Sequence, residues 1–294
     1  MMMKNTKMLV CAMLVLVVAV LSACSGTNGA NGGQASSPAG SSKPQETASA
    51  AAPSFLVEKG FLTYGTAATF PPFEYMVNNE FTGFDIELGQ AIAKEMGVEV
   101  KIQSMNFDGL IPALQGKRID IINSAMYIKP EREEQVDFIP YMGLADSIVV
   151  KSGNPKGIKS LDDLSDLTVA VTRGAVEEIN VREHNEKLKQ AGKKEIKILA
   201  LPTANDAVLA TEQGRADAFL HSSPGAAYLQ EEKPGVFEIA GSFGADTKIG
   251  IAVRKGDTET KTAIEAALKK VVDNGTYKQL MEKYHLPAEM SYFK

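Results

Sequence analysis

Across residues 55–294 the chain alternates strand-like and helix-like segments, and that alternation limits its possible folds more than any other feature. Phe61–Thr66 reads as a strand. Residues 85–96 then carry Ile86, Leu88, Ala91, Ile92, Ala93 and Met96 on one wide apolar face, a helical pattern, with Gly97 as the stop. Residues 98–102 alternate as a strand, 110–114 form a short helix and 119–123 a buried strand. The order returns as strand 168–171, helix Val176–Gln190, strand 196–199, helix 204–213 and strand 216–220. Ser223 before Pro224 has the pattern of an N-cap and first helical residue, opening a helix to about Glu232. Ala263, Ile264, Ala267, Leu268, Val271 and Val272 line a final helix, closed by Gly275. Repeated strand–helix–strand spacing predicts an α/β fold with mostly parallel sheets flanked by helices. About 240 ordered residues make one large domain or two medium ones.

Two segments echo each other. Residues 110–120 and 207–217 each run as a short helix, a glycine turn (Gly116, Gly214), a basic stretch ending in arginine (Arg118, Arg215) and an aspartate (Asp120, Asp217) opening a strand. Like units in like places predict two lobes of similar topology.

The net charge is −5, with no concentrated basic face, which excludes a nucleic-acid partner. Cys11 and Cys24 are the only cysteines, so a disulfide framework and a cysteine zinc site are excluded. His184, His221 and His285 lie far apart without metal-ligand spacing, and neither a metal nor a cofactor is predicted. At the N-terminus, Lys4 and Lys7 precede an apolar run, residues 8–20, too short to span a bilayer. Leu21-Ser22-Ala23-Cys24 follows, completing the order of an export signal over residues 1–23. The tetrapeptide resembles the bacterial lipobox, whose cysteine takes acyl chains such as palmitate and becomes the new N-terminus. Residues 24–54 are Ser, Gly, Ala and Pro-rich and cannot bury apolar area, so they form a flexible tether reaching ~30 Å. The globular body is therefore expected outside the cell membrane, or on its periplasmic side where there are two membranes, held by a lipid anchor.

A family resemblance rests on motifs spread over the whole body. Gly83-Phe84-Asp85-Ile86-Glu87-Leu88, with Ala91-Ile92-Ala93 a turn later, resembles the signature of the family 3 bacterial extracellular solute-binding proteins, the amino-acid-type receptors of ABC importers. The segments 70–75, 107–114, 130–132 with 136–138, 250–256 and 273–277 are similar to that family in order and spacing. The resemblance implies two α/β lobes of the periplasmic-binding-protein type II fold, joined by two hinge strands, with ligand in the cleft. Lobe one would comprise 55–145 plus 247–294 and lobe two 148–243, with hinges near 145–149 and 244–248. It also implies a monomer that delivers a small zwitterionic ligand to a cognate ABC permease.

Arg132 stands where the family places its carboxylate-binding arginine, and a guanidinium fork suits a carboxylate. A surface arginine paired with its glutamate neighbours is the alternative. Phe70, Phe107 and Tyr127 match ligand-stacking or cleft-lining positions, whereas Phe73 is placed in the core. Ser124 and Ala125 follow the strand at 119–123, and ligands collect beyond strand C-termini in open α/β sheets. Thr172 and Val176 bound the corresponding turn of lobe two, where the family's Gly-Thr-Thr is Gly174-Ala175-Val176. His221 is either a cleft contact or a polar residue at a strand end.

Ser222 stands where the family usually has the aspartate that receives the ligand ammonium. A hydroxyl cannot neutralise an ammonium, and a desolvated charge without a partner costs several kcal/mol. Either another acid (Glu74, Asp85 or Asp246) replaces it, or aromatic faces hold the cation, or the ligand lacks a primary ammonium. A polar amino acid, an ectoine- or betaine-like solute and a modified amino acid all remain open. Catalysis is not predicted: no nucleophile elbow, phosphate loop or nucleophile–base pair is present, although a dehydratase on the same fold is an alternative.

The lipobox reading predicts that Cys24→Ser leaves a chain without the diacylglyceryl mass in intact-mass spectrometry. A variant still carrying that mass would contradict it.

Overall fold

The structure, a computed structural model, describes residues 53–293, except the side chains of residues 245 and 246. The export signal, Cys24, nearly all of the tether and the Asp246 side chain lie outside the described residues.

In chain order the elements are β1 (Phe61–Thr66), the hairpin β2 (Tyr75–Val77) and β3 (Glu80–Thr82), α1 (Phe84–Met96), β4 (Glu99–Ser104), α2 (Leu110–Gln115), β5 (Ile121–Ile122) and α3 (Pro130–Glu133). There follow β6 (Val136–Lys151), β7 (Thr168–Thr172), α4 (Val176–Gln190), β8 (Lys197–Leu201), α5 (Ala204–Glu212), β9 (Ala218–Ser222) and α6 (Ser223–Glu232). The chain closes with β10 (Phe237–Arg254), α7 (Thr258–Asp273) and α8 (Thr276–Lys283). Eight strands form one sheet in the order β4-β1-β5-β10-β6-β9-β7-β8. The outer trios, β4-β1-β5 and β9-β7-β8, pair in parallel, while the long β6 and β10 run antiparallel through the middle and belong to both halves. The protein is thus α/β, with two halves of like topology joined by two shared strands.

The sequence echo has a structural counterpart. Asp120 accepts from the Thr63 N–H at 2.9 Å, and its own N–H donates to the Thr63 carbonyl. Asp217 makes the same pair of bonds with Thr168 in the other half. Each aspartate pins the start of its strand to the central strand of its trio, and each follows a turn in which arginine N–H closes on the preceding helix (Arg118 on Ala113, Arg215 on Ala210).

The core follows the predicted faces. Phe84, Ile86, Leu88 and Ile92 of α1 are fully buried with Leu62, Tyr64 and Phe73, against Ile264, Leu268 and Val271 of α7. Each such side chain contributes ~1.5–3 kcal/mol of burial. Val169, Val171, Val181, Leu188 and Leu220 form the equivalent cluster in the other half. Among the described residues no helix is long and apolar enough to cross a membrane.

Three boundaries differ from expectation. The helix after β9 is capped by Ser222, whose hydroxyl accepts from the Gly225 N–H at 3.3 Å, not by Ser223, because Ser222 still has extended backbone geometry. Gly275 closes α7 as expected, its N–H on the Val272 carbonyl just past Asp273, but with φ 81° it also opens a further helix, α8, that the pattern does not predict. The strand expected at 119–123 keeps only Ile121–Ile122, although the Asp120 and Asn123 N–H groups at its ends still bond to β1, at the Thr63 and Gly65 carbonyls. β6 is buried over much of its length and β10 only at Phe237 and over 249–253, so neither carries a sustained periodic signature, and only the family resemblance placed the crossings.

Gly83 anchors the entry to α1. Its φ is 125°, and a Cβ there would lie 2.1 Å from the Phe73 carbonyl oxygen. Gly83→Ala should therefore destabilise the chain by ~3 kcal/mol in chemical denaturation, from backbone strain plus a clash with a backbone atom that cannot turn aside. A change below ~1 kcal/mol would contradict this.

Candidate ligand-binding site

The C-terminal end of β5 is where the chain departs from the sheet, and its next residues are set by one buried carboxylate. Asp85, in the first turn of α1, accepts from the Ala125 N–H at 2.7 Å and from the Tyr141 hydroxyl at 2.7 Å. The Asn123 side chain donates to the Asp85 carbonyl at 2.7 Å. Ala125 is held at φ 41°, a left-handed conformation that costs a non-glycine residue and persists because these bonds fix it. Residues 126–128 then bond to β10 through Met126 and Ile128, which fixes Tyr127.

This loop and the turn after β1 form one wall of a small cavity; the turn after β7, the start of α4 and Ala204 form the other. The space open to the centre of a water-sized sphere is about 20 Å³, room for one or two waters. Phe70, Phe107, Tyr127, Ser124, Ala125, Thr172 and Val176 all line it, as do Ala67, Glu74 and Glu177. Phe73 is fully buried in the core beside them. The Ser124 hydroxyl accepts from the Ala67 N–H and donates to Glu74 Oε1, both at 2.9 Å. Glu74 Oε2 and Glu177 Oε2 are buried without a hydrogen-bond partner.

Arg132, His221 and Ser222 do not line this cavity. Arg132 is 4% exposed and lies behind the wall. Its guanidinium donates to the Tyr127 carbonyl at 2.8 Å and, across the two halves, to the Gly174 carbonyl at 2.9 Å, and it sits 5.3 Å over the Phe107 ring. It is therefore not the surface ion-pair arginine of the alternative reading. His221 stacks on Phe70 with ring centroids 4.4 Å apart, and burial pushes its pKa down to about 3, so it is neutral. Ser222 is fully buried and committed to the cap of α6.

Carboxylates absent from the sequence reading supply the rest. Glu177 is the second residue of α4, 2% exposed, held at about 8 by burial and then by the nearby Asp146 charge, against the pull of Arg132. An acid in a first helical turn ordinarily reads as a partner for the helix dipole, so nothing in the residue pattern marks it as facing inward. Asp146 pairs across the β6–β9 ladder with Ser222. It accepts from the Tyr127 hydroxyl at 2.7 Å and from the Asn180 amide at 3.1 Å, and burial holds it at about 6. Burial also raises Glu74 well above the usual carboxyl range and Asp85 to about 7. Burial lowers Arg132 to about 10, still charged at neutral pH. Among the described residues no cluster of three or more His, Cys, Asp or Glu could hold a metal.

A cavity at the strand ends of two α/β halves that share two long strands is the architecture of a solute-binding receptor. The family model for bacterial extracellular solute-binding proteins, family 3, matches residues 62–287, and the chain belongs to that family. The arginine-binding extracellular protein ArtP of Bacillus subtilis (strain 168) is 34% identical over 227 residues, covering 76% of this chain and 85% of that protein. An ancestral arginine-binding protein solved with arginine bound is 40% identical, with a TM-score of 0.71, over 77% of this chain and 98% of that one. The ancestral amino acid-binding protein AncCDT-1, a precursor of cyclohexadienyl dehydratase, is 38% identical with a TM-score of 0.67, over 76% and 95%.

The raised carboxyl groups give stability a definite pH dependence. The folded chain keeps protons on Glu177, Asp85 and Asp146 at pH values where the unfolded chain has lost them, so stability falls as pH rises from about 4 to 8. Without added ligand, the chain should lose roughly 4–8 kcal/mol between pH 5 and pH 8 in urea denaturation, and Glu177→Gln should lose less. Equal slopes for the two proteins would contradict this.

Proposed function

We propose that the chain is a lipid-anchored extracytoplasmic receptor of an ABC importer, which binds a polar amino acid or related zwitterion between two lobes and delivers it to a cognate permease. The observation that carries this reading is the cavity itself: aromatic and apolar walls from both halves, with carboxyl oxygens of Glu74 and Glu177 left without partners. The amino-acid-binding relatives support it, arginine binders among them.

In this reading lobe one is 55–145 plus 247–294 and lobe two 148–243. An amino acid needs several times the space present, so capture requires the lobes to part at the crossings near 145–149 and 244–248. The register shift between Phe243 and Thr247 in β10 is a place where such bending is easy. Arg132 receives the ligand carboxylate on guanidinium donors not used by the two carbonyls, exchanging its bond to Gly174 as the lobes move. Cys24 carries the acyl anchor, the tether gives the body its reach, and the receptor works as a monomer without catalysis. The ectoine- or betaine-like alternative draws little support, because His221 covers one face of Phe70, Arg132 lies over Phe107 and the Tyr127 hydroxyl is committed to Asp146.

A thermal-shift screen of the full chain against amino acids, betaine and ectoine tests the reading, with stabilisation of ~2.7 kcal/mol expected at a ligand concentration 100-fold above Kd. Against the best amino acid, Arg132→Ala should weaken binding by ~2–5 kcal/mol, and Arg132→Lys should restore only part because it lacks the fork. An unchanged Kd in Arg132→Ala would remove the arginine from the site.

A further inference from the structure

The charges around the cavity do not balance, and the imbalance specifies a ligand. Glu74 and Glu177 both line the cavity, both are at most 2% exposed, and each has one buried oxygen without a donor. They come from opposite walls, Glu74 from the turn after β1 and Glu177 from the first turn of α4. The other buried acids nearby are already satisfied. Asp85 holds the Ala125 N–H and the Tyr141 hydroxyl, and Asp146 holds the Tyr127 hydroxyl and the Asn180 amide. Position 222, opposite Asp146 in the ladder, offers a hydroxyl that already caps α6. Arg132 is the buried guanidinium beside the site, and its hydrogen bonds go to the Tyr127 and Gly174 carbonyls rather than to either glutamate. Two unsatisfied carboxylates and one guanidinium are complemented by a ligand with two cationic groups and one carboxylate.

We propose that Glu177, with Glu74 across the cavity, supplies the countercharge that Ser222 cannot, so that the site selects amino acids with a second cationic group on the side chain. This rests on the amino-acid-receptor reading above. An α-ammonium and a side-chain cation each meet one glutamate, while the carboxylate meets Arg132. A neutral side chain of the same length leaves one buried carboxylate without a partner, which the site resists by keeping it protonated. The charged groups acting on Glu177 are Asp146 from β6, which opposes its ionisation, and Arg132 from α3, which favours it. An arriving cation adds to the second effect, so affinity for a dicationic amino acid rises with pH through neutrality.

The test is calorimetric titration of the full chain with L-arginine and with L-citrulline, which replaces the guanidinium by a neutral ureido group of like shape. Wild type is expected to prefer arginine by at least ~30-fold, about 2 kcal/mol. Glu177→Gln, an isosteric change that removes only the charge, is expected to shrink that preference at least tenfold and to flatten the rise of arginine affinity between pH 6 and pH 8. The wild-type ratio stands as a test even if the variant folds poorly. Citrulline or glutamine bound by wild type as tightly as arginine would overturn the inference and leave the amino-acid receptor intact, as would an undiminished preference in a folded Glu177→Gln. Failure of every amino acid to bind would overturn both.

Discussion

The buried carboxylate of Asp85 is the interaction on which the site depends. It ties three parts of the fold together: the first turn of α1, the loop after β5 that carries Ser124 to Tyr127, and Tyr141 on the shared strand β6. Without these bonds Ala125 would have no reason to remain at a left-handed φ, and the loop would relax away from the cavity. A desolvated carboxyl group is costly, and here three donor contacts from one backbone amide and one hydroxyl offset that cost. The Gly-Phe-Asp signature therefore has a mechanical meaning. Gly83 allows the close pass by Phe73, Phe84 fills the core, and Asp85 holds the binding loop.

The cleft itself is electrostatically unfinished. The carboxyl groups of Asp85, Asp120 and Asp146 are paired, but Glu74 and Glu177 each keep an oxygen with no donor. Such groups weaken the protein in the absence of ligand and become favourable contacts when a cation arrives, which is how binding energy is stored in a site rather than in the fold. Arg132 has a dual position in this scheme. Its contact with the Gly174 carbonyl joins the two halves, and in the proposed function its remaining donors take the ligand carboxylate once the lobes part, so one side chain would link lobe movement to carboxylate recognition.

Much of the fold was legible in the sequence because local rules and tertiary packing agree. The spans of β1 and α4 fall where the patterns predict them, and the echo of 110–120 in 207–217 corresponds to two aspartates performing one task. The central strands were not legible, because β6, covered on both sides, shows neither alternation nor helical spacing, and β10 is buried only at Phe237 and over 249–253. At the site, the sequence identified the positions on loops after strand ends, Phe70, Phe107, Ser124, Ala125, Tyr127, Thr172 and Val176, all of which line the cavity. It did not find Glu177, since the direction of a first-turn acid depends on how the helix is docked. Nor could it find that the usual ammonium position is occupied by an N-cap while an acid stands across the ladder at Asp146.

The central claim is that buried, largely protonated carboxyl groups in the cleft receive the positive charge of the ligand. It is tested most directly by counting protons. Titration of the full chain with L-arginine at pH 7, in two buffers of different ionisation heat, gives the number released or taken up on binding. The account predicts net proton release, as the glutamates ionise against the incoming cation. Binding with no proton exchange, or with proton uptake, would contradict it.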